Sequence, residues 1–352
     1  MLWGWNTRRR NSAWERLGRD DEDIGESPAS ALRRLRLEML AAKRETFIAE
    51  RDSGRSTTRC CGRCCVGSTS RRPRSIVTSA QLRTILGGVH VEVNGTGEAM
   101  LFWPSLLMTG DMWAAQADHF GQRYRVILVD PPGHGRSQPL TGMFSFDDCA
   151  RCVADILDGI GIDRAHFVGN SWGGMIGGTF AATYPDRIGR AVLMNCTASA
   201  ARTRQKIEYG ILLRLARVLG GIRPPLTRSV LKAFLGPTTF RTRPEVVTYV
   251  RDAVQRVNLA SGAWAVKSVV PARPDQRALL ANVATPVLVV AGVEDATFPV
   301  AETRAMADAI PGSTFVALDG VAHLAALENP VLVNELIEEF VSRPSPPRDG
   351  GR

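Results

Sequence analysis

FVGNSWGGMIGG, residues 167–178, sets a single serine between glycines, in a run that is apolar before it and built of small residues after it. The spelling Gly169-Asn170-Ser171-Trp172-Gly173 fits G-x-S-x-G, a nucleophile elbow. In that motif a strand ends, the chain turns sharply into a helix, and the serine stands at the apex on strained backbone with its hydroxyl exposed. Small residues are needed because larger side chains would collide with neighbouring backbone. An ordinary glycine-rich turn that happens to hold a serine gives the same letters, so the flanks decide. AHFVG (165–169) is an apolar run of strand length, and MIGGTFAATYP (175–185) carries small and apolar residues at helical spacing up to Pro185. The serine therefore lies between a strand and a helix.

The same alternation extends outward from the motif. TILGGVHVEVNGTGEAMLFW (84–103) holds two strand-like runs around Asn94-Gly95, a dipeptide that predicts a hairpin. YRVILVD (124–130) is a further strand, followed by the Gly/Pro loop PPGHGRSQP and then by FSFDDCARCVADILDGIGI (144–162), an amphipathic helix opened by Ser145. AVLMN, PVLVVAG and STFVAL are three more apolar runs separated by helical stretches. Strands that are apolar throughout and alternate with helices predict an α/β fold, a mostly parallel sheet covered on both faces.

In such a sheet, reactive loops gather at the carboxyl ends of strands. Asp295 follows PVLVVAG and His323 follows STFVAL, so both stand just beyond a strand end, as Ser171 does. A serine hydroxyl is a weak nucleophile until an imidazole accepts its proton, and the imidazole must be held in one tautomer by a carboxylate. The order Ser171, Asp295, His323 is the one expected of this fold. Glu294 is a rival acid one residue away, and Asp295 has a second reading as a cap for the helix starting near Pro299. His90, His119, His134 and His166 do not follow a late strand and compete poorly for the role of base.

Composition bounds the rest. The 352 residues are 44% hydrophobic, enough to bury a large core. The chain has no apolar run of about 18 residues, so no membrane span is expected. Its start carries arginines without an apolar segment behind them, which argues against a secretory signal and for a cytoplasmic protein. The net charge of +9 is uneven: residues 1–75 hold 17 Lys and Arg against 10 Asp and Glu, and residues 199–277 hold 15 against 4. The remainder is net negative, which disfavours a general nucleic-acid-binding surface. Residues 1–80 are rich in Arg, Ser and Gly and are expected to be a disordered extension, as are residues 344–352. Translation from Met39 would omit part of the extension. Cys60, Cys61, Cys64 and Cys65 crowd one short stretch there without a second ligand pair, so no metal or cofactor is expected. Cys149, Cys152 and Cys196 sit in apolar surroundings and read as reduced core thiols.

VDPPGHGRS, GNSWGG, VAGVEDATFP and GVAHLAALENP, in that order and spacing, make residues 84–343 resemble the α/β-hydrolase superfamily. FWPSLLMTGDMW (102–113) is similar to the N-S-L-G-T-D-x-S-M-W segment of 3-oxoadipate enol-lactonases, with Ser105, Leu106, Met112 and Trp113 matching and Pro104 and Leu107 standing where Asn and Gly are usual. The resemblance implies a small-molecule substrate, no cofactor, and an oxyanion hole formed by the backbone N–H groups of Leu106 and Trp172. It also implies a core of residues 81–198 and 279–343 interrupted by a helical cap at 199–278, which is the strongly basic segment. Cap arginines turned inward, with Arg204, Arg214 and Arg217 as candidates on the first cap helix, would favour a carboxylate-bearing substrate. GNSWGG is close to the motif of hydrolases that cut carbon–carbon bonds in ring-cleavage products, but Leu324 follows His323 where those enzymes usually have tryptophan. Ester or lactone hydrolysis ranks first on this ground, carbon–carbon hydrolysis second, and a non-catalytic small-molecule-binding role third.

Overall fold

A computed structural model of the chain describes residues 78–343. The expectations for the extension, its four cysteines and the last residues lie outside the described part. In chain order the elements are β1 (Thr78–Thr84), β2 (Gly87–Asn94), β3 (Glu98–Trp103), α1 (Ala114–Phe120), β4 (Tyr124–Val129), α2 (Phe146–Gly159), β5 (Ala165–Asn170), α3 (Trp172–Thr183) and β6 (Ile188–Met194). A helical stretch follows, made of α4 (Thr203–Val218), α5 (Leu226–Phe234), α6 (Pro237–Thr242), α7 (Pro244–Arg256), α8 (Leu259–Val269) and α9 (Arg277–Leu280). The chain then returns to the sheet with β7 (Val287–Gly292), α10 (Val300–Asp308), β8 (Thr314–Leu318), α11 (Ala325–Glu328) and α12 (Pro330–Val341).

The eight strands form one sheet in the order β1-β2-β4-β3-β5-β6-β7-β8. From β4 to β8 all pairs are parallel, whereas β2 runs antiparallel to both β1 and β4. This is the α/β fold expected from the apolar runs. Alternate strand residues serve opposite layers. Leu101, Trp103, Ile127 and Phe167 pack with α2 and α3, while Met100, Phe102, Val126 and Val168 pack with α1 and α12. Ser145 caps α2 through a reciprocal box: its Oγ accepts from the Asp148 N–H at 3.0 Å, and Asp148 accepts from the Ser145 N–H at 2.7 Å. Cys149 and Cys152 on α2 and Cys196 after β6 are buried thiols, as expected.

The hairpin expected at Asn94-Gly95 does not form. Asn94 ends β2, which pairs with β1 and β4, while β3 pairs with β4 and β5. Gly95 (φ 81) and Gly97 (φ 104) turn the chain so that β3 passes beyond β4 instead of folding back on β2. The true hairpin is β1–β2, closed at Thr84↔Gly87. Its ladder begins at Thr78↔Val93, so the boundary expected at 81 falls inside β1.

Candidate active site

Ser171 has φ 55 and ψ −110, a backbone conformation that L-residues rarely adopt, between the last residue of β5 and the first of α3. Its N–H donates to the Met194 carbonyl at 2.8 Å, tying the turn to the end of β6. The flanking glycines make this turn possible. A Cβ on Gly169 would run into the backbone of Gly173, and one on Gly173 would run into the Trp103 carbonyl.

Asp295 and His323 meet in the interior. His323 Nδ1 and Asp295 Oδ2 are 2.9 Å apart, with side chains 1% and 0% exposed. The other Asp295 oxygen accepts from the N–H groups of Thr297 (2.7 Å) and Phe298 (3.1 Å) in the loop before α10, so Asp295 orders that loop but does not cap the helix, whose N-cap is Pro299 without a side-chain bond. The rival Glu294 turns elsewhere and accepts from the Thr238 N–H and hydroxyl. The His323 ring stacks on Phe234 at 5.4 Å between centroids and leans on Phe298 at 5.6 Å.

Several residues that sequence reasoning did not single out hold this geometry. The His323 carbonyl accepts from Asn170 Nδ2 at 2.8 Å and from Asn195 Nδ2 at 2.9 Å, fixing the histidine loop to the ends of β5 and β6. Glu328, fully buried, accepts from the N–H groups of Ala322 and Leu324 on either side of His323, and also from the Gly236 N–H and the Thr239 hydroxyl. Burial raises its pKa, although these four donors favour the charged form. The only sequence signal was position: Asn170 adjoins the serine, and Asn195 follows a strand end.

Leu106 lines the same cavity as Ser171, and Trp172 follows Ser171 in the chain. The loop after β3 has four consecutive N–H groups, three of them occupied: Ser105 donates to Met112 Sδ, Leu107 to His134 Nε2 at 3.1 Å, and Met108 to the Ser105 carbonyl. Among the described residues the Leu106 N–H has no such acceptor. Trp172 is the first residue of α3, so its N–H has no intrahelical acceptor either. Leu107 has φ 67 at the position where glycine is usual, and the bond to His134 holds it there. Nδ1 of His134 donates to the Pro132 carbonyl at 3.1 Å, which leaves Nε2 as the acceptor. Burial pushes this imidazole below its ordinary pKa and keeps it neutral.

A cavity of ≈ 300 Å³ opens over these groups. Ser171, His323 and Leu106 line it from the sheet side, and α4, α5 and α8 supply an apolar wall that includes Leu213, Leu226 and Val266. Arg204, Arg214 and Arg217 do not reach it. All three are exposed, because the face of α4 turned to the cavity carries Gln205, Tyr209, Leu212 and Leu213. One arginine does line the cavity, Arg273, which is 6% exposed. No group of His, Cys, Asp and Glu among the described residues has the arrangement of a metal site, and no described helix is long and apolar enough to cross a membrane.

Comparison with known proteins bears on the fold and the family. A family model for the alpha/beta hydrolase fold matches residues 98–330. The chain is 27% identical over 245 residues to a 3-oxoadipate enol-lactonase of Acinetobacter baylyi, covering 70% of this chain and 89% of the relative. It is 29% identical over 284 residues to a 2-hydroxy-6-oxononadienedioate/2-hydroxy-6-oxononatrienedioate hydrolase of Burkholderia vietnamiensis, covering 78% and 96%. A thermophilic esterase from Thermogutta terrifontis matches in structure with a TM-score of 0.69 at 27% identity, covering 76% of this chain and 98% of the other. With the family match spanning β3 to β8 and the loops that carry Ser171, Asp295 and His323, the chain belongs to the α/β-hydrolase family.

Proposed function

We propose that the chain is a serine hydrolase that cleaves a carboxylic ester or lactone through an acyl-enzyme. His323 Nε2 takes the proton of Ser171 as Oγ attacks the carbonyl, and Asp295 holds the ring in the Nδ1–H tautomer and stabilises the imidazolium. The developing oxyanion is met by the N–H groups of Leu106 and Trp172, each worth about 2.7–4 kcal/mol in sites of this kind. His323 then returns the proton to the leaving alkoxide, and water, activated by the same base, releases the acid. The helices between β6 and β7 act as a cap that closes an apolar cavity over the acyl group. The observation that carries this reading is the 2.9 Å Asp295–His323 contact, buried in the wall of the cavity that Ser171 also lines.

A second reading, carbon–carbon bond hydrolysis, draws on the likeness to the Burkholderia vietnamiensis hydrolase. It lacks the tryptophan usual after the histidine, since Leu324 stands there. A screen of short-chain nitrophenyl esters, lactones and vinylogous diketones separates the two, with turnover expected for the first two classes. A fluorophosphonate probe should label Ser171. Ser171→Ala should abolish both labelling and turnover while the protein stays folded; an unlabelled Ser171 in an inert protein would leave a binding role in place of catalysis.

A further inference from the structure

We infer that Arg273 is the specificity residue of the cavity: it takes a free carboxylate on the acyl or ring portion of the substrate, so that half-esters and acid-bearing lactones are preferred over their neutral counterparts. This deepens the hydrolase reading above and rests on it for the word substrate, but the binding it requires is independent of turnover.

Arg273 lies in the loop between α8 and α9 and is buried against the cavity. Its Nε donates to the Ser199 carbonyl at 2.7 Å and its Nη2 to Gln205 Oε1 at 3.0 Å, both neutral acceptors. A guanidinium has five N–H donors, and the rest have no acceptor among the described residues. Nor does any described carboxylate come within ion-pair distance of it. Glu302 is near enough to be felt, but it accepts from the Thr197 hydroxyl at 2.6 Å instead. Glu208 lines the same cavity from its exposed side of α4. Burying a charge without a partner is costly, and proteins ordinarily pair such a charge or use it.

The position is suited to use. The guanidinium carbon stands 5.5 Å over the Phe298 ring, and that ring packs 5.6 Å from the His323 imidazole, so one aromatic ring separates the cation from the base. Two hydrogen bonds and the ring fix the guanidinium in place, and the planar fork is preorganised for bidentate contact with a carboxylate. The surrounding lining is otherwise mostly apolar, including Val269, Val270 and Met175, so the anion has no competing cation in the lining. The arginine in the cavity lining thus comes from the loop between α8 and α9, not from α4.

The test compares monomethyl glutarate with dimethyl glutarate. Binding is read by calorimetry on Ser171→Ala, and hydrolysis on the unsubstituted protein. The charged ester should bind Ser171→Ala at least about tenfold more tightly, and adding Arg273→Gln should erase that difference while the neutral ester is little affected. Arg273→Lys should retain part of it, because the charge remains and the fork is lost. In turnover the preference should appear in KM more than in kcat. Equal binding of the two esters by Ser171→Ala overturns the proposal without any substitution at Arg273, as does a preference that survives Arg273→Gln. If Ser171→Ala discriminates but the unsubstituted protein hydrolyses neither ester, the Arg273 assignment stands and the esterase reading falls. Brisk hydrolysis of both esters with equal binding gives the reverse.

Discussion

The two oxygens of Asp295 divide its work, and the division sets up a test. In Asp295→Asn one oxygen can still accept from Thr297 and Phe298, but an amide NH₂ then faces His323 Nδ1 and favours the wrong tautomer. Turnover should fall by about 10⁴ with folding preserved, whereas Glu294→Gln should change kcat little. A larger loss for Glu294→Gln, measured on the same ester, would move the orienting role to that residue. His134 makes a second test. His134→Phe removes the acceptor of the Leu107 N–H and should cost about 1–3 kcal/mol in urea unfolding. Burial lowers the pKa of His134, so folding favours its neutral form. Its contribution is complete above the unfolded value of about 6.5 and is lost as pH falls below that. The unsubstituted protein should therefore lose stability faster than His134→Phe on going from pH 7 toward 5, and parallel slopes would remove the argument. Ser171, Asp295 and His323 were legible because each stands one loop beyond an apolar run. His134, Asn170, Asn195 and Glu328 were not, because each has at least one decisive partner far away in sequence: both asparagines reach the carbonyl of His323, His134 reaches the Leu107 N–H, and Glu328 reaches Gly236 and Thr239.

At the scale of elements, the helical stretch is fastened to the sheet by two carboxylates. Glu294 holds Thr238, and Glu328 holds Gly236 and Thr239 while gripping the loop around His323 from below. Glu328→Gln keeps one acceptor oxygen but turns an NH₂ toward donors, so it should cost about 1–3 kcal/mol of stability. Because the same side chain braces His323, kcat should fall with stability. Thr238→Ala, which touches only the Glu294 fastening, should leave kcat near its starting value; thermal melts and ester kinetics on the two variants check the contrast. The periodicity of strands and helices was readable throughout, since apolar strands between amphipathic helices admit few architectures. Pairing was not. Asn94-Gly95 carries the right residues for a two-residue hairpin, yet Gly97 adds a second positive-φ position and β4 takes the place beside β2. A turn dipeptide reports local backbone freedom, while strand order depends on which edge buries the most apolar surface.

At the scale of the whole molecule, the eight-stranded sheet, its two core layers and the cavity are built from residues 78–343. A protein beginning near Arg72 should therefore keep the unfolding midpoint and ester turnover of the full chain; a drop in either would assign the first 71 residues a structural part. The basic stretch 199–277 was legible as a charge excess, but which arginine turned inward was not, because Arg273 lies in a loop between two helices, where no periodicity assigns a side chain its direction. The three buried thiols carry a different consequence. Burial holds Cys149 well above the ordinary thiol pKa, pushes Cys152 up to about 12 and raises Cys196 as well, so at neutral pH almost none is present as the reactive thiolate. Two of them sit on α2 and the third beyond β6, all three in the same core layer, so together they sample two separate elements of it. Their alkylation in native buffer should then be gated by opening of the core, and peptide-resolved mass spectrometry of iodoacetamide uptake reads that opening, as a rate where alkylation outpaces reclosing and as an open population where it does not. Equal rates at all three would mean that the hydrolase core unfolds as one cooperative unit; a faster Cys196 would mean that the end of β6 breathes while α2 stays closed.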